Sequence, residues 1–175
     1  MISRKGSSQQ YLLFKFDRFI SWSFSKDERF LVMNNALGSG ECDVEIFKRI
    51  SSPPFYRKVE TVDPIVWSVL WQTLGSREGT FRKKYPAISK PFPDMVAEDH
   101  HNYTCMVKWL DSKNILMYLM GNGSIDSKEG GDSLGSWELG PGFFFIFNCA
   151  TLQLSQTNLT KKLNKGTVYK VTARH

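Results

Sequence analysis

The sequence predicts an α+β fold: a single strand-rich domain in which one main helix, over about residues 64–74, packs on an antiparallel sheet. Three observations predict it. Short runs of alternating or β-branched and aromatic residues recur along the chain. One segment carries both a helix start and a helix stop. A length of 175 residues with 41% hydrophobic content is the size of one domain that buries its core without metal or disulfide staples. Aromatic residues make up 14% of the chain, so that core is expected to be rich in rings.

Residues 1–10 combine Ser, Gly and Gln with the adjacent cations Arg4 and Lys5, a composition too polar to repay its ordering entropy, and read as a flexible basic arm. The globular domain then occupies residues 11–175. From Leu12 to Phe24 the even positions run Leu12, Phe14, Phe16, Arg18, Ile20, Trp22 and Phe24 while Lys15, Asp17, Ser21 and Ser23 are odd, which predicts a half-buried strand, with a break near Arg18, and Phe14, Phe16 and Trp22 inward. Lys26-Asp27-Glu28-Arg29 is a charged turn before the apolar Phe30-Leu31-Val32-Met33; Asn34-Asn35 with Gly38 and Gly40 make the next break. Residues 42–50 are ambiguous between strand and helix.

The helix signal is Asp63-Pro64 at the start and Gly75 at the end. Asp63 can cap, Pro64 occupies a first-turn position where its missing N–H costs nothing, and Gly75 suits a left-handed stop. Tyr103–Leu110 and Ile115–Met120 are apolar runs separated by Asp111-Ser112-Lys113-Asn114, a quartet of hairpin length. Residues 121–136, rich in glycine, read as a mobile loop. Phe143–Phe147, Thr151–Leu154 and Thr167–Val171 complete the chain as strands.

A net charge of +6 implies attraction to phosphate, of RNA or of an anionic lipid alike. Arg77, Arg82, Lys83, Lys84 and Lys90 form one cationic group; Lys161, Lys162, Lys165, Lys170 and Arg174 form another. Each could track phosphates, or be ordinary solvated surface. Pro53-Pro54-Phe55-Tyr56 matches the Pro-Pro-x-Tyr ligand of WW domains, in which the prolines preset a polyproline turn and the tyrosine ring fills a pocket. The same tetrapeptide also serves as a stiff connector with Phe55 and Tyr56 packed inward.

Catalytic patterns are lacking. There is no Gly-x-Ser-x-Gly elbow, no phosphate loop and no dinucleotide fingerprint, so an enzyme is not expected. Glu98-Asp99-His100-His101 puts four ligand types side by side, but neighbours in a strand point to opposite faces, which favours a polar loop over a metal site. Pro93-Asp94 and Asp111-Ser112-Lys113 imitate a nuclease signature whose second half falls on a turn rather than on the rigid strand that the chemistry needs. Cys42, Cys105 and Cys149, odd in number and far apart, read as buried inert thiols. No apolar run approaches the roughly 18 residues that span a bilayer, and no signal region follows Met1, so a cytosolic chain without cofactor is expected.

A small basic chain with a cationic arm, a strand-rich domain and the element Pro53-Pro54-Phe55-Tyr56 resembles the matrix proteins of rhabdoviruses, those of plant viruses in particular given its length. The resemblance implies a non-enzymatic structural protein of the virion that self-associates as a homo-oligomer. Such a protein binds nucleocapsid and lines the anionic inner face of a host membrane from the cytoplasm. It further implies Pro53, Pro54 and Tyr56 as a late-budding peptide that recruits a WW-domain protein, and Arg4 and Lys5 as arm cations. The competing expectation is an RNA-binding protein, such as a viral suppressor of RNA silencing, using the same cations.

Overall fold

The computed structural model describes residues 1–66 apart from Arg4, Asp17, Ser39, Gly40 and Pro64, together with residues 100–126 and 133–173. Among the described residues nine strands form one sheet: β1 (Phe19–Phe24), β2 (Phe30–Ala36), β3 (Glu41–Arg49), β4 (Tyr56–Thr61), β5 (His100–Trp109), β6 (Asn114–Asp126), β7 (Ser133–Asn148), β8 (Gln153–Ser155) and β9 (Val168–Ala173). A short helix, α1 (Asn158–Leu163), and a 3-10 turn (Asn164–Gly166) separate β8 from β9.

The sheet runs β1-β2-β3-β5-β6-β7-β8, with β4 also on β3 and β9 also on β7. Two long strands therefore serve two partners along one edge. β3 pairs with β4 through Glu45–Arg49 and with β5 through Glu41 and Cys42. β7 pairs with β9 through Gly135–Gly140 and with β8 through Ile146–Asn148. All pairings are antiparallel except β3–β5, which is parallel over two residue pairs, Glu41↔Asn102 and Cys42↔Tyr103. At that short contact Asn34 of β2 reaches over to β5: its Nδ2 donates to Met106 O at 3.2 Å and its Oδ1 accepts from Met106 N at 2.8 Å. A side-chain amide thus replaces one rung of ladder where β5 bulges between Met106 and Lys108.

Local chemistry explains the β5–β6 hairpin. The Asp111 carboxylate accepts from the N–H groups of Lys113 and Asn114 at 2.7 and 2.8 Å and from Asn114 Nδ2 at 2.7 Å, closing the turn the sequence predicts. Further along, β7 passes close under Tyr118. A Cβ on Gly142, which sits at φ +151, would lie 2.0 Å from the Tyr118 ring, so only glycine fits.

Strands β2 and β3 are buried on both faces. Phe30, Val32, Val44 and Ile46 join Ile115, Met117, Leu119, Trp137, Leu139, Phe145 and Phe147 in the main core. That cluster runs across the middle of the sheet from β2 to β7 and takes in Val62 and Val66 beyond β4. On the opposite face Leu31, Met33, Phe47 and Tyr56 form a second cluster, covered by Ile2, Leu13, Phe14, Ile20, Phe24 and Phe55. The first residues fold back to make this cover: Ile2 and Tyr11 exchange backbone hydrogen bonds at 2.9 and 2.8 Å, and the Phe14 ring meets Phe47 edge-on at 5.8 Å.

Three expectations are corrected. The fold is mostly β with a mixed sheet, not α+β with one main helix on an antiparallel sheet. Asp63, Ile65 and Val66 are helical, and the remainder of the expected helix over 64–74 lies outside the described residues. The glycine-rich stretch expected as a loop is instead the end of β6 and the start of β7, paired from Gly121↔Leu139 to Asp126↔Ser133, with residues 127–132 outside the description. Cross-strand pairing on both sides overrides the weak strand preference of glycine there. The ambiguous segment 42–50 is strand β3 up to Arg49.

The third correction concerns the first strand. β1 begins only at Phe19, so Phe16, 50% exposed, precedes it, and because β1 ends the sheet its side chains lie at a rim, Trp22 being 62% exposed. Phe14 is the member of the expected trio that packs inward. Replacement of Phe16 by Asp should therefore leave a folded protein with a melting temperature within a few degrees of wild type. Phe47→Ala, which empties a side chain buried to 1% exposure, should cost about 3 to 5 kcal/mol in a denaturant titration.

Candidate functional site

Helix α1 is short, so its position depends on tethers more than on propensity. Thr157 and Thr160 form a reciprocal cap, with the Thr160 hydroxyl accepting from Thr157 N at 2.8 Å and the Thr157 hydroxyl accepting from Thr160 N at 3.5 Å. Just after the helix, Asn164 Oδ1 accepts from Phe144 N at 2.6 Å and its Nδ2 donates to Phe144 O at 2.8 Å, bolting the turn to β7. Thr167 adds a hydroxyl bond to Gly142 O. Thr160 is buried, which turns the rest of the helix outward.

What α1 presents is both apolar and cationic. Leu159 and Leu163, one helical turn apart, are 44% and 40% exposed, and Lys161, Lys162 and Lys165 beside them are exposed. Two of the cations singled out from sequence, Lys161 and Lys162, are thus placed together on a rigid support. The leucines beside them could not be found from sequence, because no strand or helix periodicity distinguishes residues 158–163 from a loop. Arg4, Arg77, Arg82, Lys83, Lys84 and Lys90 lie outside the described residues.

Pro53-Pro54-Phe55-Tyr56 is placed as the β3–β4 turn. Phe55 N donates to Ser52 O and Ile50 N to Phe55 O, both at 2.8 Å, and Phe55 stands at φ 67, away from the polyproline region near −75°. The Tyr56 ring is 6% exposed, packs on Phe24 at 5.5 Å, and its hydroxyl donates to Glu28 O at 2.6 Å. Burial pushes its pKa up. In this conformation the ring that a WW groove would grip fills the second core cluster instead. Lys5 comes to the same place: with Arg49, Glu28, Ile2, Phe55 and Tyr56 it lines a groove of about 590 Å³.

A second group of residues gathers where β3 meets β5. Cys42 and Cys105 stand with their sulfurs 3.3 Å apart, although 63 positions separate them in sequence. Next to them Asp63 Oδ2 accepts from Val44 N at 3.1 Å. Burial first, and then the neighbouring Asp43 carboxylate, push the Asp63 carboxyl up to about 8; Asp43 is raised too, by burial and by Glu45 and Glu41. On the same strand buried Glu45 is paired with Lys58 at 2.6 Å and accepts from the Thr61 hydroxyl at 3.1 Å. Among the described residues no group of three His, Cys, Asp or Glu side chains is arranged to hold a metal ion, and no helix is long and apolar enough to cross a membrane.

Comparison with protein families, with characterised proteins and with solved structures found nothing that matches this chain. The chemistry of the surface therefore carries the functional argument alone.

The Asp63 carboxyl supplies a pH test. Its folded pKa lies above the ordinary value near 3.9, so its contribution to stability is complete below about pH 4 and is lost as pH rises through about 8. Wild type should melt at a higher temperature at pH 5 than at pH 9. Asp63→Asn, which mimics the neutral acid and keeps an acceptor for Val44 N–H, should flatten that profile and exceed wild type at pH 9. Scanning calorimetry across the pH series would check it.

Proposed function

We propose that this chain is a non-enzymatic, matrix-like structural protein that docks on an anionic membrane surface through α1 and self-associates through β1. The observation that carries the reading is the pairing of exposed Leu159 and Leu163 with Lys161 and Lys162 on one tethered helix and Lys165 in the turn that follows it. Lysines draw the helix to anionic headgroups, and the leucines enter the boundary beneath them. An RNA groove would call for stacking rings or guanidinium planes among its cations, and the described cationic surface of α1 has aliphatic ones.

Magnitudes support self-association as the partner of this contact. Three lysines at about 1 kcal/mol each and two half-exposed leucines at a similar value sum to about 5 kcal/mol, a dissociation constant of about 0.2 mM. A single copy would bind weakly; several copies held together would bind well. β1 offers the means. It is the end strand, no strand among the described residues pairs with its outer edge, and its sequence Phe-Ile-Ser-Trp-Ser-Phe holds none of the lysines or prolines that usually protect an edge. Phe19 and Trp22 are 60% and 62% exposed there, suited to a second copy adding edge to edge. Recruitment of a WW-domain protein through Pro53, Pro54 and Tyr56 is left out of the proposal, because it would require the Tyr56 ring to leave the core.

Flotation with vesicles of phosphatidylserine in phosphatidylcholine tests the membrane contact. Lys161→Glu with Lys162→Glu should weaken binding at least about tenfold and flatten its salt dependence, whereas Leu159→Ser with Leu163→Ser should weaken it at all salt concentrations. Retention of RNA at matched salt, with no vesicle binding, would instead establish the nucleic-acid reading. For the edge, Trp22→Lys should shift sedimentation towards monomer and lower vesicle avidity without changing the melting temperature by more than a few degrees.

A further inference from the structure

Within the sheet, the half built from β1–β4 joins the half built from β5–β9 through the two-residue parallel contact of β3 with β5, and Cys42 lies in that contact. Cys105 stands two residues beyond Tyr103, the register partner of Cys42, and the two sulfurs approach to 3.3 Å. Both side chains are half-buried, open enough for a small reagent. Cys149, by contrast, is buried to 1% exposure and its thiol is pushed up to about 12 by burial.

We propose that Cys42 and Cys105 form an oxidisable dithiol, which small-molecule disulfides convert into an intrachain cross-link locking β3 to β5. The sulfurs need to close by little more than 1 Å to reach the bonded distance of about 2.05 Å, a movement within side-chain rotation. The electrostatics assign the order of attack. The Cys42 thiol is raised by its hydrogen bond with Cys105, by burial and by the charges of Cys105, Asp63 and Asp43, while its hydrogen bond to Cys105 lowers the latter, so Cys105 ionises first.

The Cys105 thiolate attacks one sulfur of the reagent, a mixed disulfide forms, and the other half leaves as a thiolate. That thiolate takes the Cys42 proton. The Cys42 sulfur then attacks Cys105 Sγ, and the second reagent half departs as a thiolate that is protonated by solvent with the proton Cys105 lost. Two protein thiols are oxidised and one reagent disulfide is reduced to two thiols. The closed loop contains residues 43–104, so the cross-link constrains a long stretch of the unfolded chain and stiffens the seam between the two sheet halves.

Incubation of the full chain with oxidised glutathione, followed by non-reducing peptide mapping, tests the assignment. The expected product links the Cys42 and Cys105 peptides, leaves Cys149 to be alkylated only after denaturation, and melts about 5 to 10 °C higher than reduced protein, reversibly with added dithiothreitol. Cys149→Ser should behave as wild type, and Cys42→Ser should stop at a glutathione adduct on Cys105. A stable adduct on wild-type Cys105 without the cross-link would overturn the proposal. So would a cross-link that forms equally in denatured chain and pairs Cys149, or three thiols that remain free in folded protein under the same treatment.

Discussion

Strands β2 and β3 bury side chains on both faces, and most other features of the molecule answer that constraint. Phe30, Val32, Val44 and Ile46 face one way; Leu31, Met33 and Phe47 face the other. A sheet with two apolar faces needs two covers. On one face the side chains join those of β6 and β7 in a common buried cluster, and on the other the N-terminal residues provide the cover by folding back through Ile2, Leu13 and Phe14. A composition that looks like a free arm is tethered at its apolar points, because the surface awaiting it costs more to leave wet than the arm costs to order.

The sheet also contains joints at which backbone ladders run out. Two asparagines close them in the same way: Asn34 bonds both backbone groups of Met106, and Asn164 bonds both of Phe144. A side-chain amide carries one donor and one acceptor, so it substitutes for a strand residue where no strand reaches. The joint between β3 and β5 is narrower still and collects what the core would otherwise refuse. Asp63, Asp43, Cys42 and Cys105 gather there, and burial together with neighbouring carboxylates raises both acids, Asp63 to about 8. Glu45, a few residues along the same strand, takes the other solution and pairs with Lys58.

The proposed function rests on the edges of this architecture. α1 is capped by Thr157 and Thr160, and the turn after it is fastened to β7 by Asn164 and Thr167, so its leucines and lysines are presented by a scaffold rather than by a mobile tail. β1 closes the opposite end of the strand order with exposed aromatic side chains. A weak lipid contact and an adhesive edge reinforce one another, which is the physical logic of a protein that coats a surface in many copies.

Sequence by itself determined the strand-rich character, the charged turns and the hairpin at Asp111–Asn114, because these depend on local periodicity and on side chains bonding their own backbone. It also marked Lys161 and Lys162 as candidate cations. Only the tertiary structure decided which face of an apolar strand is inside. Phe16 and Trp22 satisfy the alternation rule yet lie outward, since parity orders side chains along a strand without saying whether anything covers them. It decided likewise that Tyr56 serves the core, that glycine-rich segments are strands held by neighbours on both sides, and that Cys42 meets Cys105. Each of these depends on residues brought together from distant parts of the chain, and short-range pattern carries no record of that meeting.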